Sequence, residues 1–171
     1  GCISTRETIE QCKMAEAVGA DILSVITPSF AKASQHELVE HYTKVAEAVP
    51  GMPIVLYNIP MRTGNAIEPA TVAELAEVDN IIGAKDSSGD WNNLSAYIER
   101  TRDIDFAVLS GNDALILKAL EAGAKGAIAG CANVYPQNMV GIYENWAKGD
   151  LESAEACQAN VANLRACFKY G

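Results

Sequence analysis

The 171 residues suffice for one domain with a sizeable apolar core, and 49% hydrophobic and 20% charged residues exclude a disordered chain. Thirteen Lys and Arg against 22 Asp and Glu give a formal net charge of −9 at pH 7, which argues against nucleic acid or an anionic membrane as a partner. No apolar run approaches the ~18 residues of a membrane-spanning helix, and residues 1–6 do not form a secretion signal.

Five short apolar segments are predicted as buried strands, because each is bounded by glycine, proline or polar residues. They are residues 21–27, 54–58, 81–85, 106–110 and 126–130. Helical patterns cover residues 5–18, 34–49, 68–77, 92–102, 113–122, 136–148 and 151–170. Ser34 followed by Glu37 predicts a capping box, and Gly123 and Gly149 are predicted to end their helices.

The alternation of helices and strands predicts right-handed βαβ units and a parallel sheet. A doubly wound sheet and a (β/α)₈ barrel both fit this order. The barrel is favoured because no strand precedes a glycine-rich nucleotide fingerprint and because polar residues follow several strands, which gather at one mouth in a barrel. Closure takes eight strands and ~250 residues. We therefore predict an α/β fold with a partial (β/α)₈ TIM barrel over residues 1–150 and a C-terminal helix over residues 151–171.

Lys85 is the strongest candidate for a catalytic residue because it ends an apolar strand. Removing an ammonium group from water lowers its pKa below the usual ~10.4. A free amine can add to a ketone and form an imine, which acts as an electron sink for carbon–carbon chemistry. The alternative is a lysine whose head group simply reaches water.

Other candidates follow neighbouring strands. Tyr57 offers a phenol that can relay a proton, and Arg62 offers a planar fork for a carboxylate. A core tyrosine and a surface arginine are the alternatives. The small residues 126–130 permit close approach of a ligand or of a packed helix, and residues 110–113 can cap a helix or hold an anion.

Two apparent motifs are rejected. His36 and His41 are five residues apart, which fits no zinc-binding helix, and both are predicted to be solvated. Five cysteines without a C-x-x-C pair are interpreted as buried free thiols of a reducing, cytoplasmic compartment.

Four motifs together resemble the dihydrodipicolinate synthase / N-acetylneuraminate lyase family in order and spacing. They are residues 57–64 (YNIPMRTG), 83–90 (GAKDSSGD), 109–113 (LSGND) and 126–128 (GAI). The resemblance implies about strands 4 to 8 of a (β/α)₈ barrel and Schiff-base chemistry on pyruvate or a related 2-keto acid. It also implies a small-molecule substrate, no metal or organic cofactor, and a homo-oligomer, usually a tetramer built from dimers.

The resemblance assigns the imine to Lys85 and the proton relay to Tyr57. It assigns substrate binding to four further residues, namely Arg62 at the entrance, Gly111 and Asn112 beside the keto acid, and Ile128 with its carbonyl near the reacting centre.

Two departures from the family pattern limit these implications. The glycine- and threonine-rich motif of strand two is absent, so these 171 residues alone are expected to be inactive. Ser29-Phe30 replaces the adjacent tyrosines of many synthases, which favours a lyase or aldolase for another 2-keto acid. The alternatives are a non-catalytic truncated barrel that acts only as an assembly module and, with less support, an open-sheet phosphate or nucleotide binder.

Overall fold

A computed structural model describes residues 1–167, and the predicted continuation of the last helix to residue 170 lies outside the described residues. The strands are β1 Leu23–Ile26, β2 Ile54–Asn58, β3 Ile81–Asp86, β4 Ala107–Ser110 and β5 Gly126–Ala127. The α-helices are α1 Thr5–Ala17, α2 Gln35–Ala48, α3 Pro60–Thr63, α4 Pro69–Leu75, α5 Trp91–Arg100, α6 Ile116–Ala122, α7 Pro136–Lys148 and α8 Leu151–Cys167.

All five predicted strands and all seven predicted helices are present. Residues 54–58 and 136–148 match their predicted bounds, and the ends of most other elements are shifted. Two short elements were not predicted: helix α3 and the 3₁₀ segment Gly130–Asn133. The helix predicted over residues 113–122 begins with a 3₁₀ segment, Asp113–Leu115. The last strand is shorter than predicted because its carboxyl end turns into the second 3₁₀ segment. Within the described chain, no helix is both long enough and apolar enough to cross a membrane.

The sheet is parallel throughout, and its strands lie in the order β1-β2-β3-β4-β5. Each strand therefore pairs with its neighbours along the chain, and the order never reverses. A doubly wound sheet has a reversal point at which its ligand binds. The sheet of residues 1–167 contains no such reversal, which excludes a doubly wound arrangement of these five strands. The order is consistent with part of a (β/α)₈ barrel.

The predicted helix caps are confirmed. The Ser34 N–H donates to Glu37 Oε2 at 2.7 Å, and the Glu37 N–H donates to Ser34 Oγ at 3.3 Å. Gly123 and Gly149 have φ values of +113° and +81°, the left-handed conformation that ends a helix.

The two faces of the sheet differ in how well they are covered. Alternate residues such as Val25, Leu56 and Val108 belong to the main buried core, together with apolar residues of the helices. On the opposite face Ser24 is exposed, and Tyr57 and Lys85 are only half-buried. Within residues 1–167 the helices therefore cover one face, and the face that carries Tyr57 and Lys85 is only partly covered.

The prediction of two solvated histidines is wrong for His41. His36 is exposed, but His41 is 4% exposed on the side of α2 that also carries Leu38 and Tyr42. Its Nδ1 lies 2.9 Å from Thr5 Oγ1 of α1. The cysteines are also only partly as predicted, because Cys167 is exposed.

His41 makes stability depend on pH. Burial is the main cause that lowers its pKa from 6.5 to about 4, and the N-terminal amino group adds to the effect. Between these values the unfolded chain binds more protons than the folded chain, so the contribution of a neutral His41 is complete above pH 6.5 and is lost as pH falls towards 4. We expect H41L to remove a pH-dependent difference of up to about 3 kcal/mol in the free energy of unfolding.

Urea titrations at pH 7.5 and pH 4.5 measure this effect. H36Q, at an exposed position of the same helix, is the control and is expected to follow the wild type. Equal loss of stability in the wild type and H41L between these pH values would contradict the assignment.

Candidate active site

Tyr57 and Lys85 lie side by side at the carboxyl ends of β2 and β3. The parallel register pairs the two residues directly, so both side chains project from the same face of the sheet. Lys85 Nζ lies 4.0 Å from the centroid of the Tyr57 ring. The amine of Lys85 and the phenol ring of Tyr57 therefore lie together on the partly covered face of the sheet, where both side chains are half-buried.

Gly111 forms a third side of this site. It follows β4, and its N–H donates to the Asp86 carbonyl oxygen at 2.8 Å. A Cβ atom added at Gly111 would clash with Ser87 Oγ and would lie 2.9 Å from both Lys85 Cε and the Asp86 carbonyl oxygen. The close approach of the β4 loop to the lysine side chain therefore requires glycine.

The other predicted residues lie on the connections around this trio. Arg62 is exposed on α3, directly after β2. Ile128 follows β5, and its N–H donates to the Ser110 carbonyl oxygen at 2.9 Å. Asn112 Oδ1 accepts from the Ala114 N–H at 3.0 Å, which supports the helix-cap interpretation of this turn. Contacts thus join Lys85 to Tyr57 and to the Gly111 segment. Arg62, Asn112 and Ile128 lie on the connections that follow β2, β4 and β5.

A buried polar pair, Asn58 and Asp86, lies behind the site and was not predicted to have a role. Asn58 Nδ2 donates to Asp86 Oδ1 at 2.7 Å, and the two residues are 1% and 2% exposed. Burial is the main cause that raises the pKa of the Tyr97 phenol, and the nearby Asp86 charge also raises it. A signal for the pair was available, because each residue directly follows Tyr57 or Lys85 and must face the opposite side of the sheet.

A second polar cluster fixes the loop after β1. Asn65 Nδ2 donates to the carbonyl oxygens of Pro28 and Ala31 at 2.9 and 2.8 Å, and Asn65 Oδ1 accepts from the Ala33 N–H at 2.9 Å. Within this loop Phe30 has a φ of +77° and is 94% exposed. The loop therefore presents an aromatic ring to the outside in a backbone conformation that non-glycine residues rarely adopt.

Residues 1–170 match the family model described as the Dihydrodipicolinate synthetase family. This chain belongs to that family. The resemblance seen in the four sequence motifs is thereby confirmed.

Within the dihydrodipicolinate synthetase family, the 4-hydroxy-tetrahydrodipicolinate synthase of Methanospirillum hungatei is 45% identical to this chain over 169 residues. The match covers 98% of this chain and 57% of that relative. A dihydrodipicolinate synthase structure from Thermotoga maritima superimposes with a TM-score of 0.94 at 34% identity, over 98% of this chain and 58% of that one. YagE of Escherichia coli K12, a prophage protein of the same family solved in complex with pyruvate, gives a TM-score of 0.94 at 33% identity, over 99% of this chain and 57% of that one. The chain therefore spans a little more than half the length of these relatives.

Proposed function

We propose that this family member forms a Schiff base between Lys85 and pyruvate or a related 2-keto acid, and that it acts as a lyase or aldolase. The observation that carries the proposal is the contact of Lys85 Nζ with the Tyr57 ring at the carboxyl ends of two adjacent parallel strands. Active sites of (β/α)₈ barrels lie at this end of the strands. On this proposal β1 to β5 correspond to about strands 4 to 8 of the barrel.

The chemistry begins when the neutral amine of Lys85 attacks the ketone carbon. The carbinolamine then loses water, and the carbon–nitrogen double bond of the iminium forms. Loss of a proton from the adjacent carbon gives an enamine, whose carbon attacks an electrophile, and the reverse sequence cleaves the same bond. We propose that Tyr57, which pairs with Lys85 in the strand register, relays the protons of these steps.

Substrate binding is proposed for the surrounding residues. Arg62, on the exposed side of α3, suits a carboxylate at the entrance because guanidinium groups bind carboxylates through two parallel hydrogen bonds. Gly111, Asn112 and Ile128 would line the keto-acid position. The pyruvate bound to the relative YagE supports a substrate of this class.

The identity of the second substrate is a separate proposal. Phe30 carries no hydroxyl group, so it cannot relay a proton. Its exposed ring on the clamped loop after β1 is available to a neighbouring subunit of a homo-oligomer. We infer from Phe30 that the partner of the 2-keto acid differs from that of the tyrosine-bearing synthases.

Reduction with borohydride in the presence of pyruvate tests the Schiff base. We expect the mass of the protein to rise by one reduced pyruvyl group, and we expect no rise when either reagent is omitted. The measurement is made on the 171 residues alone and on the longest natural polypeptide that contains them. A mass that stays unchanged in both forms would contradict the proposal.

Replacing Gly111 with alanine is expected to slow adduct formation by roughly tenfold or more, because the new methyl group clashes with Ser87 Oγ and crowds both the Asp86 carbonyl oxygen and the Lys85 side chain. G51A is the matched control, since a Cβ atom there meets only Glu16 Oε1, at 3.9 Å. Trapping rates measured by intact-mass spectrometry compare the two variants. Wild-type rates in G111A would show that the close approach has no functional consequence.

An assembly role is a second candidate, favoured by the unclosed sheet. Within residues 1–167 the sheet ends at β1 on one side and at the two-residue strand β5 on the other. Unpaired strand edges and a partly covered face favour association with further polypeptide. Gel filtration of the 171 residues is expected to show oligomers or mixed species, and a stable monomer would contradict this candidate.

A further inference from the structure

The ends of β2 and β3 carry two polar pairs on opposite faces of the sheet. Tyr57 pairs with Lys85 on the partly covered face, and Asn58 pairs with Asp86 one residue further along. The second pair is almost completely buried beneath the first. Because consecutive residues share a rigid peptide plane, movement of Asn58 or Asp86 also moves Tyr57 or Lys85.

Both oxygens of the Asp86 carboxylate accept hydrogen bonds. Oδ1 accepts from Asn58 Nδ2 at 2.7 Å and from the Ser88 N–H at 3.1 Å, and Oδ2 accepts from the Ser88 hydroxyl at 2.8 Å. Asn58 Oδ1 in turn accepts from the Ile67 N–H at 3.0 Å. The pair therefore ties the ends of β2 and β3 to the turn after β3 and to the segment that leads into α4.

The main chains of the same two residues extend this connection. The Asn58 carbonyl oxygen accepts from the Ser87 N–H at 2.8 Å, and the Asp86 carbonyl oxygen accepts from the Gly111 N–H at 2.8 Å. Asn58 and Asp86 thus connect the carboxyl ends of β2, β3 and β4. Tyr57 and Lys85 lie at the first two of these ends, and Gly111 directly follows the third.

We propose that Asn58 and Asp86 are positioning residues for the Lys85–Tyr57 pair and act through their hydrogen bonds. This inference rests on the proposed Schiff-base function. Alanine at position 86 removes the acceptors of the Asn58 amide and of both Ser88 donors. Asparagine at position 86 keeps an acceptor for Asn58 and for the Ser88 N–H, and its amide can donate to the Ser88 hydroxyl oxygen.

The experiment measures the rate of borohydride trapping at saturating pyruvate, in the form of the protein that gives the wild-type adduct. We expect D86A and N58S to react roughly ten- to a hundredfold more slowly, and D86N to remain within about threefold of the wild type. N80A is the control, because Asn80 Nδ2 donates to the carbonyl oxygens of Ala46, Val49 and Met52 near the opposite ends of the strands. It should lower the melting temperature and leave the trapping rate unchanged.

The variants separate positioning from a general loss of stability. If D86A fails to fold, N58S alone decides the question. The inference is overturned if N58S reacts at the wild-type rate, if N80A slows the reaction equally, or if D86N is as slow as a folded D86A. If the wild type forms no adduct, both the proposed function and this inference are contradicted. If the wild type forms the adduct and the variants react at the wild-type rate, only the inference is contradicted.

Discussion

Replacing Lys85 with arginine is expected to abolish the exchange of pyruvate methyl protons for deuterium. Exchange requires the enamine, and the enamine requires an amine that can lose its proton and attack the ketone. Arginine keeps the positive charge but stays protonated and cannot form the imine. We expect the exchange rate, followed by proton NMR in heavy water, to fall by roughly 10⁴-fold or more, to the background of free pyruvate.

K118R is the matched control for this prediction. Lys118 also lies over an aromatic ring, with Nζ 4.0 Å from the Trp91 ring, but on an exposed position of α6. K118R is expected to exchange at the wild-type rate. Persistent exchange in K85R would show that another group forms the enamine or that no Schiff base is involved.

Replacing Tyr57 with phenylalanine is expected to lower the rate of pyruvate proton exchange by roughly 10²- to 10⁴-fold. The substitution removes the phenol and leaves a ring beneath the lysine amine, so a large loss reports on proton transfer rather than on packing. The rate of adduct formation and the rate of exchange are both measured, because Tyr57 is proposed to serve steps in each.

Y143F controls for the loss of a tyrosine hydroxyl elsewhere. Tyr143 lies on α7 and is 46% exposed. It should leave both rates unchanged. If Y57F retained the wild-type rates, the proton relay would have to be assigned to another group.

Short apolar runs were sufficient to predict the two strands that carry the candidate pair Tyr57 and Lys85. The segments that end at Asn58 and Lys85 are short and apolar, so the sequence predicted adjacent buried strands. Parallel pairing then brought Tyr57 and Lys85 together, and glycine at position 111 allowed the β4 loop to approach them. These features depend on residue order along a strand, which a sequence displays directly.

Features that depend on a particular partner were not predicted. His41 shares one side of α2 with Leu38, Tyr42 and Val45, the i, i+3, i+4, i+7 pattern, but the absence of zinc spacing led to a solvated interpretation. The Asn58–Asp86 bond joins residues 28 apart, and its partners could be chosen only once the strand register was known. Local propensity carries no information on such contacts.

Peptide mapping of the reduced pyruvate adduct shows which amine of the protein forms the Schiff base. After borohydride reduction and proteolysis, tandem mass spectrometry locates the modified amine among the lysines and the N-terminus. We expect one modified position, the ε-nitrogen of Lys85, and we expect K85R to eliminate the labelling. An adduct confined to any other amine would contradict it.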